Sequence, residues 1–322
     1  MKVLAGKFFY GGANMKYFLL FAVMIVMTIA GSGCSSGGSS ASSNSNSDVH
    51  IEVPYVNLNS GYKMPVLGLG TWTQNNSTAE ESVYEAIKCG YRLIDTAQYY
   101  GNELGVGEAV RRAIDEGIIT RGEIFITSKI MPGNYANPDS AIEESLKRLG
   151  LEYIDLMLIH QPGYNDKGVY QALERGVKSG KIKSIGISNY YTPEEFERIT
   201  GDSEIMPAVV QNENHPYYQN TDLQNYLERY GVIIESWYPF GGRGHTQEFF
   251  TNESIMKIAS AHSKTPAQII LRWHIQAGYV VIPGSKNPAH IRENIDVFDF
   301  SLSDDEMRIM NELNQNRRFE NW

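Results

Sequence analysis

The sequence predicts an α/β fold, a (β/α)8 TIM barrel with an N-terminal β-hairpin closing the bottom. Three observations predict it. Short apolar runs alternate eight times with amphipathic helical stretches between residues 66 and 295. An Asn59-Ser60-Gly61 turn joins two short segments just ahead of the first run. No G-x-G-x-x-G leads from a strand into a helix, where a doubly wound sheet would carry its nucleotide turn; the stretch there reads GLGTWTQ.

The hairpin takes residues 53–58 and 63–65. The first four repeats read as strand 66–70 with helix 78–88, strand 92–95 with helix 103–116, strand 124–129 with helix 138–149, and strand 154–160 with helix 169–179. The next four read as strand 184–188 with helix 193–200, strand 208–212 with helix 222–230, strand 232–236 with helices 253–262 and 266–276, and strand 280–283 with helix 288–295. A last helix over 303–313 is announced by Ser303 and Glu306, spaced as a capping box.

The first fifty residues read differently. Residues 15–34, MKYFLLFAVMIVMTIAGSGC, place one lysine, an apolar run and small residues before a cysteine. The run is short for crossing a bilayer and suits the core of a secretory signal. It resembles a bacterial lipoprotein signal, which implies lipidation of Cys34 and a lipid-anchored, extracytoplasmic place in the cell envelope. Gly33 fits that pattern and Gly31 departs from it. An uncleaved anchor, or an ordinary cleaved signal, is the competing reading, and an unused signal would leave the chain cytoplasmic. Residues 1–34 are thus expected as the signal, 35–50 as a flexible Ser/Gly/Asn linker, and 51–322 as the barrel domain.

Formal net charge is −9 with no basic stripe, which argues against a nucleic-acid partner. Two cysteines give no disulfide framework and no Cys/His metal spacing. The chain is expected to act as a monomer.

In a barrel the C-terminal strand ends share one mouth. Asp95, Tyr100, Lys129 and His160 fall at such ends and can move or tune a proton. Each alone has a bland reading, as a turn cap, a solvated lysine or a loop-satisfying histidine; four at separate ends favour a site. A phenol titrates near 10, too high to exchange protons readily at neutrality. A neighbouring ammonium pulls it down, so Lys129 is expected to acidify Tyr100 while Asp95 holds the lysine. His160 would orient a substrate oxygen or share the proton. No nucleophile with its base, metal set or glycosidase carboxylate pair accompanies them, so another source of reactivity is needed, and a bound hydride carrier would supply it.

The segments GLGTW (68–72), YRLIDTAQYYGNE (91–103), FITSK (125–129), DLMLIH (155–160), SIGISN (184–189), QNENHP (211–216) and VIPGSKNPAHIRENIDVFDF (281–300) resemble the aldo-keto reductase family in order and spacing. The resemblance implies reduction of an aldehyde or ketone by NADPH, with Tyr100 as proton donor, Lys129 lowering its pKa, Asp95 pairing the lysine and His160 orienting the carbonyl. Trp72, Tyr100 and His160 would line the substrate side. It implies Ser188, Asn189 and Gln211 as holders of the nicotinamide amide and Trp237 as its stacking face. Gly70, Thr71, Trp72 and Asp95 would contribute from the first strands. Tyr238, Phe240 and Gly242 fall in the loop laid over the pyrophosphate. Ser285, Lys286, His290, Glu293 and Asn294 fall at the adenosine end. There Gly284 and His290 stand where the family has its two phosphate-binding cations, so NADH is expected to be usable as well. Lys286 or Arg292 could compensate. A different class of reading is a surface-anchored barrel that binds without turnover, motivated by the scarcity of nicotinamide cofactors outside the cytoplasm. The tail RRFENW is weighed as a cover for the mouth.

Overall fold

A computed structural model describes residues 52–320. The expected signal, Cys34 and the whole of the linker lie outside the described residues, as does Trp322. Strands β1 (Tyr55–Asn57) and β2 (Lys63–Pro65) form the antiparallel hairpin. Eight parallel strands then pair in chain order: β3 (Leu69–Gly70), β4 (Leu93–Asp95), β5 (Phe125–Ile130), β6 (Ile154–Ile159), β7 (Ile182–Ser188), β8 (Val209–Glu213), β9 (Ile233–Trp237) and β10 (Val280–Val281). The ring closes between last and first. Gly68 N–H donates to Val281 O at 2.9 Å, Val281 N–H to Val66 O at 3.0 Å, and Gly70 bridges Gly284. A Cβ on Gly70 would sit 2.9 Å from the Ile282 carbonyl oxygen, so this seam is narrow enough to demand glycine.

The helices are α1 (Asn76–Lys88), α2 (Glu103–Asp115), α3 (Pro138–Leu149), α4 (Asp166–Lys178), α5 (Pro193–Thr200), α6 (Thr221–Leu227), α7 (Thr246–Phe250), α8 (Glu253–His262), α9 (Pro266–Gln276), α10 (Pro288–Ile295) and α11 (Asp304–Glu312). Proline opens α3, α5, α9 and α10, where its missing N–H costs nothing. Capping boxes from Thr192, Thr265 and Ser303 start α5, α9 and α11.

Strand periodicity divides the apolar side chains between two layers. Ile94, Ile126, Met157 and Val210 face outward beneath the helices. Leu93, Phe125, Leu156, Leu158 and Val209 fill the interior, where Leu58 and Met64 of the hairpin plug the lower end. The same inward parity, continued up the strands, reaches Asp95, Lys129, Gln211 and Glu235. The polar cluster is therefore the top layer of the barrel core.

The first and last barrel strands are shorter than expected, and three helical elements differ most. Helix α4 begins at Asp166 rather than 169, where the carboxylate is gripped by Arg198 at 2.6 Å and the Tyr190 hydroxyl at 2.9 Å. Helix α6 stops at Leu227 and tightens into a 3-10 turn over Glu228–Tyr230, ended by Gly231 at φ 63°. Helix α7 was not expected; it is a five-residue turn inside the connection after β9.

Candidate active site

Strand β4 delivers Asp95 to the mouth, and one 3-10 turn over Gln98–Tyr100, ended by Gly101 at φ 67°, brings the next phenol back over it. The Lys129 ammonium lies 2.7 Å from both Asp95 carboxylate oxygens, 3.0 Å from Thr96 O and 3.1 Å from the Tyr100 hydroxyl. His160, just past β6, stands edge-on to the Tyr100 ring with centroids 5.7 Å apart. All four residues are thus brought together.

Lys129 is fully buried. Burial alone would lower its pKa, yet the Asp95 carboxylate and the Tyr100 oxygen outweigh that, so it is held above its ordinary value and stays an ammonium. Burial leaves the Tyr100 phenol pushed up to about 12, outweighing Lys129, which pulls it down as expected. A phenolate leaving water loses more than it regains from an ammonium already shared with a carboxylate. The hydroxyl therefore keeps its proton at neutral pH, as a donor must. Burial, then the Lys129 charge, drives His160 down to about 3. A neutral imidazole can orient an oxygen through one N–H, but it carries no second proton to share. Its Nδ1 is buried with no hydrogen-bond partner among the described residues.

Two residues escaped the sequence reading. Glu235 is wholly buried on β9, and its Oε2 accepts from Gln211 Nε2 at 2.7 Å. The same nitrogen donates to Asp95 Oδ2 at 2.8 Å, so one amide joins two carboxyls. Burial and the nearby Asp95 charge push Glu235 up to about 8. Its signal was present: a charged residue at inward parity in the apolar run IIESW. Tyr99 is 52% exposed and stacks on Trp72 at 5.5 Å, widening the aromatic wall beside Tyr100. Trp72 turns its indole N–H away, donating to the Tyr238 hydroxyl at 3.1 Å.

These groups open into a cavity of about 860 Å³, ample for a dinucleotide and a small substrate. Trp72, Tyr99, Met131 and His160 line one part. Gly70, Ser188, Asn189, Gln211 and half-buried Trp237 line the next, followed by Tyr238, Phe240, Gly242 and Arg243 of the glycine-rich loop, then Ser285, Lys286 and His290. The Gln211 amide oxygen is left free to accept, because its nitrogen is spent on the two carboxyls. Asn189 is committed within the protein: its amide nitrogen donates to His160 O at 2.9 Å, and its oxygen accepts from Tyr191 at 3.1 Å. Thr71, Glu293 and Asn294 do not line the cavity. Thr71 donates to Asp95 O at 2.9 Å, and Glu293 accepts from Thr265 at 2.6 Å. Asn294 is buried in α10. Arg292 is ion-paired with Glu85, leaving Lys286 and Arg243 as the lysine and arginine of the lining.

Glu235 generates a stability prediction. Its folded pKa lies above its ordinary 4.5, so it holds a proton that the unfolded chain releases between 4.5 and about 8. Stability from this group is complete below about pH 4.5 and declines as pH rises toward about 8. Thermal unfolding midpoints should fall more steeply from about pH 5 to about pH 8 in the native protein than in Glu235→Gln; parallel slopes would contradict it.

Comparison with known proteins agrees with this geometry. The Aldo/keto reductase family model matches residues 66–315. An NAD(P)H-dependent D-xylose reductase of Candida tropicalis is 39% identical over 307 residues, covering 83% of this chain and 94% of its own. The methylglyoxal reductase DkgA of Yersinia pestis is 40% identical over 270 residues, covering 82% and 94%. Among solved structures, a Bombyx mori aldo-keto reductase in complex with NADP superposes with a TM-score of 0.80 at 32% identity, covering 84% of this chain and 96% of that one. The chain belongs to the aldo/keto reductase family.

Proposed function

We propose that this chain reduces the carbonyl group of an aldehyde or ketone to an alcohol with NAD(P)H, Tyr100 donating the proton. The observation that carries the reading is the Tyr100 hydroxyl 3.1 Å from a buried ammonium, beside a neutral His160, on the rim of a cavity that continues to the amide-bearing strand ends. The residues fit a dinucleotide: Trp237 offers an aromatic face, Gln211 a free amide oxygen, and residues 241–244 a backbone strip whose three glycines hold positive φ. Bound there, NAD(P)H would supply the hydride. His160 donates an N–H to the carbonyl oxygen and fixes its position. Tyr100 passes its proton to that oxygen as negative charge develops on it. Lys129 stabilises the phenolate left behind, and Asp95 with Thr96 O keeps the ammonium aimed. A barrel that only bound ligands would have no use for an ammonium buried against a phenol, and relatives named as reductases favour turnover.

Purified protein should oxidise NADPH or NADH in the presence of a reactive aldehyde. Tyr100→Phe should lower kcat by about 10³-fold with the cofactor KM nearly unchanged. Undiminished turnover in that variant would remove Tyr100 from the reaction; no turnover by the native protein with either cofactor would favour the binding reading.

The adenosine end supports use of both cofactors. Gly284 and His290 occupy the positions where the family carries cations, and Arg292 is taken by Glu85. With Lys286 as the remaining ammonium there, the preference for NADPH in kcat/KM should stay within about 10- to 100-fold, the worth of one charged hydrogen bond. A preference of about 10³-fold or more would show a complete phosphate site.

The family assignment leaves the amino-terminal segment to the sequence. The lysine, apolar run and Gly33-Cys34 support a lipid anchor on Cys34, with residues 35–50 as tether to the barrel domain, residues 51–322. Among the described residues, no helix is long and apolar enough to cross a membrane. In a bacterial host, Cys34→Ser should move the protein out of the membrane fraction; unchanged fractionation would refute lipidation.

A further inference from the structure

We infer that residues 317–320 form a strap that holds the glycine-rich loop, residues 241–246, over the dinucleotide, with Phe319 as the positioning residue. The inference rests on the proposed role of that loop and adds what keeps it in place.

Arg318 lies over the Tyr191 ring and near Glu213, and Arg317 N–H donates to Tyr217 O; three further contacts tie the strap toward the loop. Glu213, fully buried at the end of β8, accepts from the N–H of Phe319 at 2.6 Å and of Glu320 at 3.2 Å, and meets His215 Nε2 at 2.9 Å. The Phe319 ring lies between two imidazoles: His215 at 4.6 Å and 25°, and His245 of the loop at 3.8 Å and 5°. Arg317 pairs with Glu248, whose other oxygen lies 2.6 Å from His245 Nδ1.

The loop itself has little to grip with. Gly241, Gly242 and Gly244 take positive φ values of 74°, 67° and 86° and carry no side chains. Its backbone runs directly against the strap, since a Cβ on Gly241 would lie 2.8 Å from the Phe319 ring. Glu213 in turn depends on the strap, because a buried carboxylate stripped of two N–H donors is costly. Phe319 does not line the cavity. Its contacts serve the loop rather than the substrate.

The test measures NADP⁺ release by stopped-flow protein fluorescence, and backbone hydrogen exchange of residues 241–246, in the full chain. Phe319→Ala should speed release about tenfold and raise loop exchange, with aldehyde KM within about twofold; Phe319→Tyr should restore both. His245→Ala removes the same stack from the loop side. It should speed release similarly, and the double variant should add little to either single one. Unchanged release and exchange in both variants, or additive effects, would overturn the strap. Should Phe319→Ala fail to fold, His245→Ala decides alone through exchange at residues 317–320, which should quicken. If the native protein binds no NADP⁺, the reductase reading fails, while loop exchange still decides whether the strap exists.

Discussion

The contact between the Lys129 ammonium and the Asp95 carboxylate, sealed above a largely apolar barrel interior, is the constraint around which the site is arranged. Removing one partner of such a pair costs about 3–5 kcal/mol, because the survivor is left charged and dry. Its presence is weak evidence for stability, since apolar residues of similar volume would fill the same space at less cost. What it secures is position. Its three N–H donors are shared among both Asp95 oxygens, the Thr96 carbonyl and the Tyr100 hydroxyl, so the nitrogen is fixed beside the phenol. Glu235 extends the layer without adding charge: pushed up to about 8, it is mostly protonated at neutral pH, so ammonium and carboxylate remain balanced.

The barrel was legible because alternation is a local property of the chain. The eight runs, the hairpin turn and the strand-end residues all follow from period and spacing, and the inward parity that buries Leu93 also presents Asp95. Electrostatics was not legible in the same way. Proximity of Lys129 to Tyr100 reads as acidification, but the sign of the net shift depends on how thoroughly the phenol is buried, which is a property of the assembled mouth. Tyr99 is not legible in the sequence because its partner Trp72 lies on a different strand end. Phe319 was weighed as a cover for the substrate, and it packs instead beneath the glycine-rich loop. Glu293 and Asn294 follow the family's spacing, yet they do not line the cavity.

His160 shows how burial assigns roles within one cluster. The same low-dielectric setting that raises the phenol lowers the imidazole to about 3, and the Lys129 charge acts in the same direction. The cluster therefore sets one protonated phenol, Tyr100, beside one neutral imidazole, His160. Were His160 to titrate near its usual value, two acids would compete for the same oxygen.

Backbone conformation tells a related story at the mouth. Thr73, Asn189 and Tyr238 all hold positive φ without being glycine, at 72°, 66° and 53°. Each follows the end of a strand, β3, β7 or β9, where the chain must turn sharply to leave the barrel and still present a side chain inward. Such conformations cost of order 1 kcal/mol each and persist only where the surroundings over-determine them. Asn189 is held by His160 O and Tyr191, and Tyr238 by the Trp72 indole. These hydrogen bonds tie the turns carrying cofactor-side residues to the residues of the aromatic wall.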